Sequence, residues 1–426
     1  MNDILLKNAL LEDKRVNIYV NDGMISSITP SVPGEPLTVD ATTEVVDCST
    51  KAVLPSFINM HTHAAMSMMR GVGEDISFHE WLARIWRIES GLTPEYVYYA
   101  TKLACLEMIK TGTATFNDQY WFMPQARLAA VEMGIRPVLS YVLCDRMDPE
   151  QSRIQIRECI RHYEDSLLWP EKTQFAISVH AVYSVCEDTI VWAARFASEH
   201  GLKLHIHLSE TQKEVNDCKA AHNGMSPVEY LESLGFLSQD VIAAHALWLS
   251  EKDVEILGRH RVNCVHNINS NLKLTSGYRF KYNELRDAGA NVCIGTDGCG
   301  SSNNLDMLEA MKTAAIVQKA WRGDPTAMPL DELFAAGTSN GAKALGINTG
   351  VVKVGNKADL MLVDIDNWHF VSNAPTLANF VYSAHSDCID SLMCDGRWIM
   401  RNRIVKGERE ILADARKVLA QFINNQ

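Results

Sequence analysis

The sequence predicts an α/β protein: a (β/α)₈ barrel with a composite β-sandwich domain built from both chain termini. Three observations in its 426 residues carry that expectation. Strand-like apolar runs alternate with helical stretches through the middle of the chain, the pattern of a parallel sheet with helical crossovers. Both ends instead show short strands joined by tight turns. Nearly every strand candidate in the middle stops at a histidine or an aspartate, and the C-terminal strand ends are where a barrel gathers its functional side chains.

Residues 1–57 supply the first part of the β domain. Val16-Asn17-Ile18-Tyr19-Val20, the turn Asn21-Asp22-Gly23, and Met24-Ile25-Ser26-Ser27-Ile28 read as strand, turn and strand. Residues 58–347 are assigned to the barrel, with strands ending near His61, Asp118, Leu143, His180, His207, His245, His266 and Asp297. Helical patterns fall between them, at Thr93 to Lys110, Thr189 to His200 and Met225 to Leu234. A doubly wound open sheet is the alternative arrangement. Residues 348–426 return to the β texture: Leu360-Met361-Leu362-Val363-Asp364 reads as a strand, Leu392 to Met400 as a hairpin, and a helix closes the chain.

Composition narrows the function classes. Hydrophobic residues at 47% and charged residues at 22% suit a large globular core and exclude disordered, collagen-like and coiled-coil chains. Forty Lys and Arg against 52 Asp and Glu leave a net charge of −12, which offers no general attraction to nucleic acid or to an anionic membrane. The 11 cysteines form no C-x-x-C pair and read as reduced thiols in a cytoplasmic protein. Neither a secretory signal nor an apolar run of bilayer length is visible.

The strand ends carry the chemistry. In His61-Thr62-His63 the two imidazoles are i and i+2 on a strand and share a face; imidazole nitrogen suits Zn²⁺ or Fe²⁺. His205 and His207 also share a face, and either could be the ligand. Glu210, three residues past His207, stands where a carboxyl can serve a bound water without holding the metal. His245 ends another strand. Asp297 follows buried apolar residues, where a carboxylate is costly unless paired or metal-bound.

These motifs, P-S-F-I-N-M-H-T-H, H-L-S-E-T, A-A-H, H-N-I-N-S-N-L-K-L and I-G-T-D-G in that order, resemble the amidohydrolase superfamily, as does G-x-x-x-x-G-x-x-A-D-L from Gly350 to Leu360. The resemblance covers essentially the whole chain. It implies one divalent metal, zinc preferred over iron, held by His61, His63, His207 and Asp297. Glu210, His245 and Asp297 would then be the catalytic groups. No lysine occurs in Gln174 to His180, where two-metal relatives carry a bridging carboxylated lysine, so a single metal is implied.

The stretch Met66 to Val72, with Trp81-Leu82 and Ile88-Glu89, is similar to deaminases of S-adenosylhomocysteine and 5′-methylthioadenosine. That similarity implies that Trp81, Glu89, Arg153, His180 and Glu210 bind a nucleoside, with Glu89 on the ribose hydroxyls. Tyr141 departs from the arginine expected beside Arg153 for a carboxylate site. The implied reaction is hydrolytic deamination of an adenine nucleoside to the inosine analogue and ammonia. Alternatives are hydrolysis of another aminated or halogenated ring (guanine, a pterin, an s-triazine), or metal binding without turnover. The expected partner is a small-molecule nucleoside, with neither nucleic acid nor membrane, and an assembly of dimers or larger is implied by the resemblance.

Overall fold

The computed structural model describes residues 3–32, 34 and 40–424. Strands β6 (Phe57–Thr62), β7 (Thr113–Gln119), β8 (Arg136–Leu143), β9 (Gln174–Val179), β10 (Lys203–Leu208), β11 (Val241–His245), β12 (Asn263–His266) and β13 (Asn291–Ile294) form a parallel sheet in sequential order. Parallel barrel strands are covered on both faces, and their buried polar side chains must find partners inside. All six residues of β6 and all seven of β7 are buried, and the helices that follow cover the outside. A bond of 3.0 Å from Asp297 N–H to His61 C=O joins the end of β13 to β6, which brings the last strand back to the first. The sheet is therefore the expected barrel and not a doubly wound one.

The strands run close to the expected bounds because an apolar run stops where its histidine or aspartate begins the mouth. Helices follow their own start signals. α1 (Phe78–Glu89) opens with a reciprocal cap between Ser77 and Glu80, and α2 (Pro94–Lys110) opens on Thr93 with proline in its first turn.

The chain ends build the second unit. β1 (Ile4–Leu11), β2 (Lys14–Asn21), β3 (Met24–Pro30), β4 (Glu44–Asp47), β5 (Lys51–Pro55), β14 (Leu360–Asp364), β15 (Ile389–Cys394) and β16 (Arg397–Met400) join in one mixed sheet. β1 pairs with β2, β4 and β5, so the composite domain is a single forked sheet around its own core of Leu6, Ile18, Ile25, Val53 and Leu360. The closing helix, Glu408–Asn424, packs on α2 through Phe422 against Tyr96.

One buried ionic cluster pins the two units together. The Arg136 guanidinium at the start of β8 contacts the carboxylates of Asp359 and Asp395, and Thr115 Oγ1 accepts from it at 3.0 Å. Asp359 is the aspartate of the A-D-L motif, and its Oδ1 also accepts from Asp395 N–H at 2.7 Å. Removing one member of a buried ion pair strands the other charge in an apolar setting. Asp359→Ala is therefore expected to lower stability by about 3–5 kcal/mol, read as a shift in the denaturant midpoint; a shift under about 1 kcal/mol would mean that the cluster behaves as a surface pair.

Candidate metal centre and active-site cleft

The barrel mouth gathers the strand-end residues into one donor set. His63 Nε2 stands 3.1 Å from Asp297 Oδ1 and 3.3 Å from His207 Nε2, and His61 Nε2 lies 3.2 Å from the same Oδ1. The ligand atoms of His61, His63 and Asp297 lie within 4.8 Å of one another, and so do those of His61, His207 and His245. The backs of the rings are fixed. His63 Nδ1 donates to Gln119 C=O at 2.6 Å and His207 Nδ1 to His180 C=O at 2.9 Å. A carbonyl only accepts, so each Nδ1 carries the proton and each Nε2 lone pair faces inward, the tautomer a metal requires.

Asp297 is divided between two tasks. Its Oδ2 accepts from Ser270 Oγ at 2.6 Å and Ser301 Oγ at 2.9 Å, which leaves Oδ1 aimed at the imidazoles. Burial alone would raise this carboxyl; the rings of His61 and His63 hold it well below the usual range instead. Burial works against a charge on His63, yet the Asp297 carboxylate holds its imidazole at about 9. A cation at the same spot would satisfy the carboxylate in the proton's place. Nitrogen and oxygen donors converging this closely fit a divalent metal.

His205 takes the position behind the centre, its Nε2 2.9 Å from His61 Nδ1, while its i+2 neighbour His207 faces His63. His245 Nδ1 meets the Asn271 amide at 3.0 Å and Glu210 Oε1 at 3.7 Å. With Asn271 donating there, the ring proton of His245 sits on Nε2 and makes it a donor rather than a ligand. Burial, together with the neighbouring imidazoles, pushes His245 down to about 3, so it works as a neutral ring. Burial, then Asp297 and Glu214, push Glu210 well above the usual carboxyl range.

Three non-glycine residues at the mouth, Ser209, His245 and Asp297, have left-handed backbone, with φ of +49°, +71° and +63°. Each such residue costs of order 1 kcal/mol and persists only where its surroundings hold it. The turn re-aims the side chain from the strand direction into the mouth. Gly295 clears space for that: a Cβ there would stand 2.5 Å from Asn267 Oδ1 and 2.9 Å from His61 Cβ.

The cleft beside this centre is lined by Trp81, Trp86, Glu89, His180, Tyr183, Glu210, His245 and Asp297, among others. Trp81 is buried and its indole N–H donates to Gly300 C=O at 2.8 Å, so it offers a ring face and no free donor. His180 Nδ1 bonds Ser184 Oγ at 2.8 Å, and burial with the nearby His63 and Arg146 lowers it to about 4. Burial raises the Glu89 carboxyl, against donation from Tyr120 and Trp121.

Outward from Glu89 the cleft opens into a vestibule of about 950 Å³. The structure does not bring Arg153 there. It lies exposed on the helix Pro149–Ser166, away from the vestibule lining, because that helix turns Gln151, Ile154, Gln155 and Glu158 inward instead. Arg146 stands in the vestibule, its guanidinium 5.7 Å from the Trp86 ring centroid. Tyr141 also lines it and donates to Glu158 Oε2 at 2.9 Å. Trp86 and Arg146 were missed in the sequence; the i, i+4 spacing of Leu82 and Trp86 beside Trp81, Ile85 and Glu89 is a signal that could have found the tryptophan.

Fold and donor set together define a metal-dependent hydrolase built on a (β/α)₈ barrel. The chain belongs to the amidohydrolase family, whose model matches residues 52–399. It is 39% identical over 425 residues to the 5′-deoxyadenosine deaminase of Methanospirillum hungatei, spanning 99% of this chain and 94% of that one. It is 41% identical over 416 residues to 5-methylthioadenosine/S-adenosylhomocysteine deaminase 1 of Archaeoglobus fulgidus, spanning 96% of each. A crystal structure of an adenosine deaminase from Xanthomonas campestris with bound zinc matches at a TM-score of 0.91 and 28% identity, over 99% of each chain.

The hydroxyls behind Asp297 generate a prediction. Ser270→Ala with Ser301→Ala frees Oδ2 to rotate, and metal affinity should fall about 10–100-fold, read by competition with a chelator. Unchanged affinity would show that the imidazoles alone orient the carboxylate.

Proposed function

We propose that the chain hydrolytically deaminates an adenine nucleoside, releasing ammonia and the inosine analogue. One observation carries the reading: a single cleft holds the metal donors and the buried Glu210 at one end, and Glu89 at the other, with indole rings along its walls. A purine lying between those rings places its amino-bearing carbon at the centre and its ribose near Glu89, whose carboxylate would accept from vicinal hydroxyls. The near-full-length similarity to deaminases named for four such nucleosides supports this choice over another aminated ring.

His61, His63, His207 and Asp297 would hold the metal, and zinc is proposed because the zinc-bound relative shares the whole fold. When bound, a divalent metal supplies the Lewis acidity that brings the pKa of a water toward neutrality. The remaining steps belong to side chains. Glu210, kept protonated by its burial, donates to the purine ring nitrogen beside the reacting carbon, which makes that carbon electrophilic. Asp297 accepts the proton of the attacking water, and the neutral His245 donates from Nε2 to the attacking oxygen. The proton that Asp297 took from the water passes to the departing amine, and Glu210, now a carboxylate, recovers a proton from the new hydroxyl as ammonia leaves. Arg146 and Tyr141 face whatever the 5′ carbon carries, and the eleven unpaired thiols suit a reducing compartment.

The test is ammonia release by metal-replete protein on 5′-deoxyadenosine, methylthioadenosine, S-adenosylhomocysteine, adenosine, guanine and free adenine. Turnover confined to the adenine nucleosides is expected; turnover of guanine alone would move the assignment to another ring. Glu210→Gln should keep its metal and lose at least about 10²-fold in kcat. Glu89→Ala should depress nucleoside turnover while leaving any slow reaction of free adenine unchanged. Equal losses on both substrates would place Glu89 outside the ribose site.

A further inference from the structure

Four helices begin with the same local signature, a serine or threonine cap three residues ahead of a carboxylate. In three of them the carboxylate returns to the N–H of its own cap residue. Glu80 Oε2 accepts from Ser77 at 3.0 Å, Glu229 Oε2 from Ser226 at 2.9 Å and Asp253 Oδ2 from Ser250 at 2.7 Å. The fourth helix, Gln212–Ala221, departs from this. Thr211 Oγ1 accepts from Glu214 N–H at 3.1 Å in the ordinary way. The Glu214 carboxylate, however, reaches past the cap: Oε1 accepts from Ser209 N–H and Oε2 from Glu210 N–H, each at 2.8 Å. Thr211 N–H is a lesser partner.

This clamp closes on the turn that leads into Glu210. Ser209 has left-handed backbone, is fully buried, and its own hydroxyl makes no hydrogen bond that could hold the turn. Its C=O accepts from Trp248 N–H at 2.9 Å, and its N–H is held by Glu214. Among the described residues no donor hydrogen-bonds the Glu210 carboxyl; the neutral His245 ring stands beside it, its Nδ1 3.7 Å from Oε1. The direction of Glu210 is therefore set by its backbone. A neutral side chain could cap a helix with less desolvation, yet a carboxylate is buried here with no lysine or arginine paired to it among the described residues.

We propose that Glu214 is the positioning residue for Glu210: a two-oxygen clamp on consecutive N–H groups that fixes the Ser209 turn and points Glu210 into the cleft. The proposal rests on the reading of Glu210 as the acid–base group. Burial raises the Glu214 carboxyl to about 7, opposed by donation from those same N–H groups.

Glu214→Gln tests it, because an amide has one acceptor oxygen and sets its NH₂ against the second N–H. Expected is a fall in kcat of between about tenfold and 10²-fold, with KM and metal content within about twofold of the parent. Glu214→Asp keeps both oxygens and the charge but shortens the reach, and should fall in the same direction; it serves if the Gln variant does not fold. Adding Ser209→Gly to Glu214→Gln should recover part of the loss, since glycine takes the left-handed turn without the clamp. The double variant Glu210→Gln/Glu214→Gln should be no slower than Glu210→Gln alone.

Wild-type kcat in both Glu214 variants overturns the proposal, as does a loss that multiplies with that of Glu210→Gln or follows metal content. If Glu210→Gln itself turns over at the parent rate, the acid–base reading fails first and removes the clamp's purpose with it.

Discussion

The rest of the structure depends on one buried carboxylate, Asp297, held between imidazoles at the closure of the barrel. An isolated anion in such a place would be too costly to keep. Here His61 and His63 face one oxygen while Ser270 and Ser301 donate to the other. These partners come from β6, the segments after β12 and β13, and the loop after β6, so the carboxylate is satisfied only when the first and last strands meet. Its backbone N–H makes the same junction, donating to His61 C=O. Barrel closure and the pairing of Asp297 with His61 and His63 thus depend on the same junction.

The same economy explains where backbone strain sits. Ser209, His245 and Asp297 occupy left-handed backbone directly at strand ends, where a side chain continuing the strand's alternation would point into the packed barrel or out toward the helices. A turn of this hand sends the side chain over the mouth. The strain is tolerable because each turn is held from outside itself: Ser209 by Glu214 and Trp248, Asp297 by His61, and His245 by the β10–β11 ladder, where it pairs with Leu208. Rigidity in the scaffold is what makes the functional side chains precise.

What the sequence disclosed follows from this arrangement. His61, His63, His207, His245 and Asp297 were legible because each ends a buried apolar run, and polar groups in that position need a reason. The composite sheet was legible from turn chemistry at both ends, although its forked continuity was not, because β4 and β5 both pair with β1 across the chain and no local signal records that. Arg153 illustrates the opposite limit. A charge seven residues from Arg146 on a loop-to-helix segment faces the vestibule or solvent depending on helix phase, and that phase is fixed by Ser152 and Cys159 packing inward. His205 and His207 were equivalent by alternation; which one faces the centre depends on β10 pairing with β9 and β11, a tertiary fact.

Three carboxyl groups in one cleft are shifted differently by their surroundings. Asp297 lies among imidazoles and keeps its charge despite burial. Glu210 is buried beside that charge and beside Glu214, so a second anion there is disfavoured. Glu89 is raised by burial too, against Tyr120, His63, Trp121 and the more distant Arg146. In the proposed reaction Glu210 is the acid and Asp297 the base, the arrangement these shifts favour.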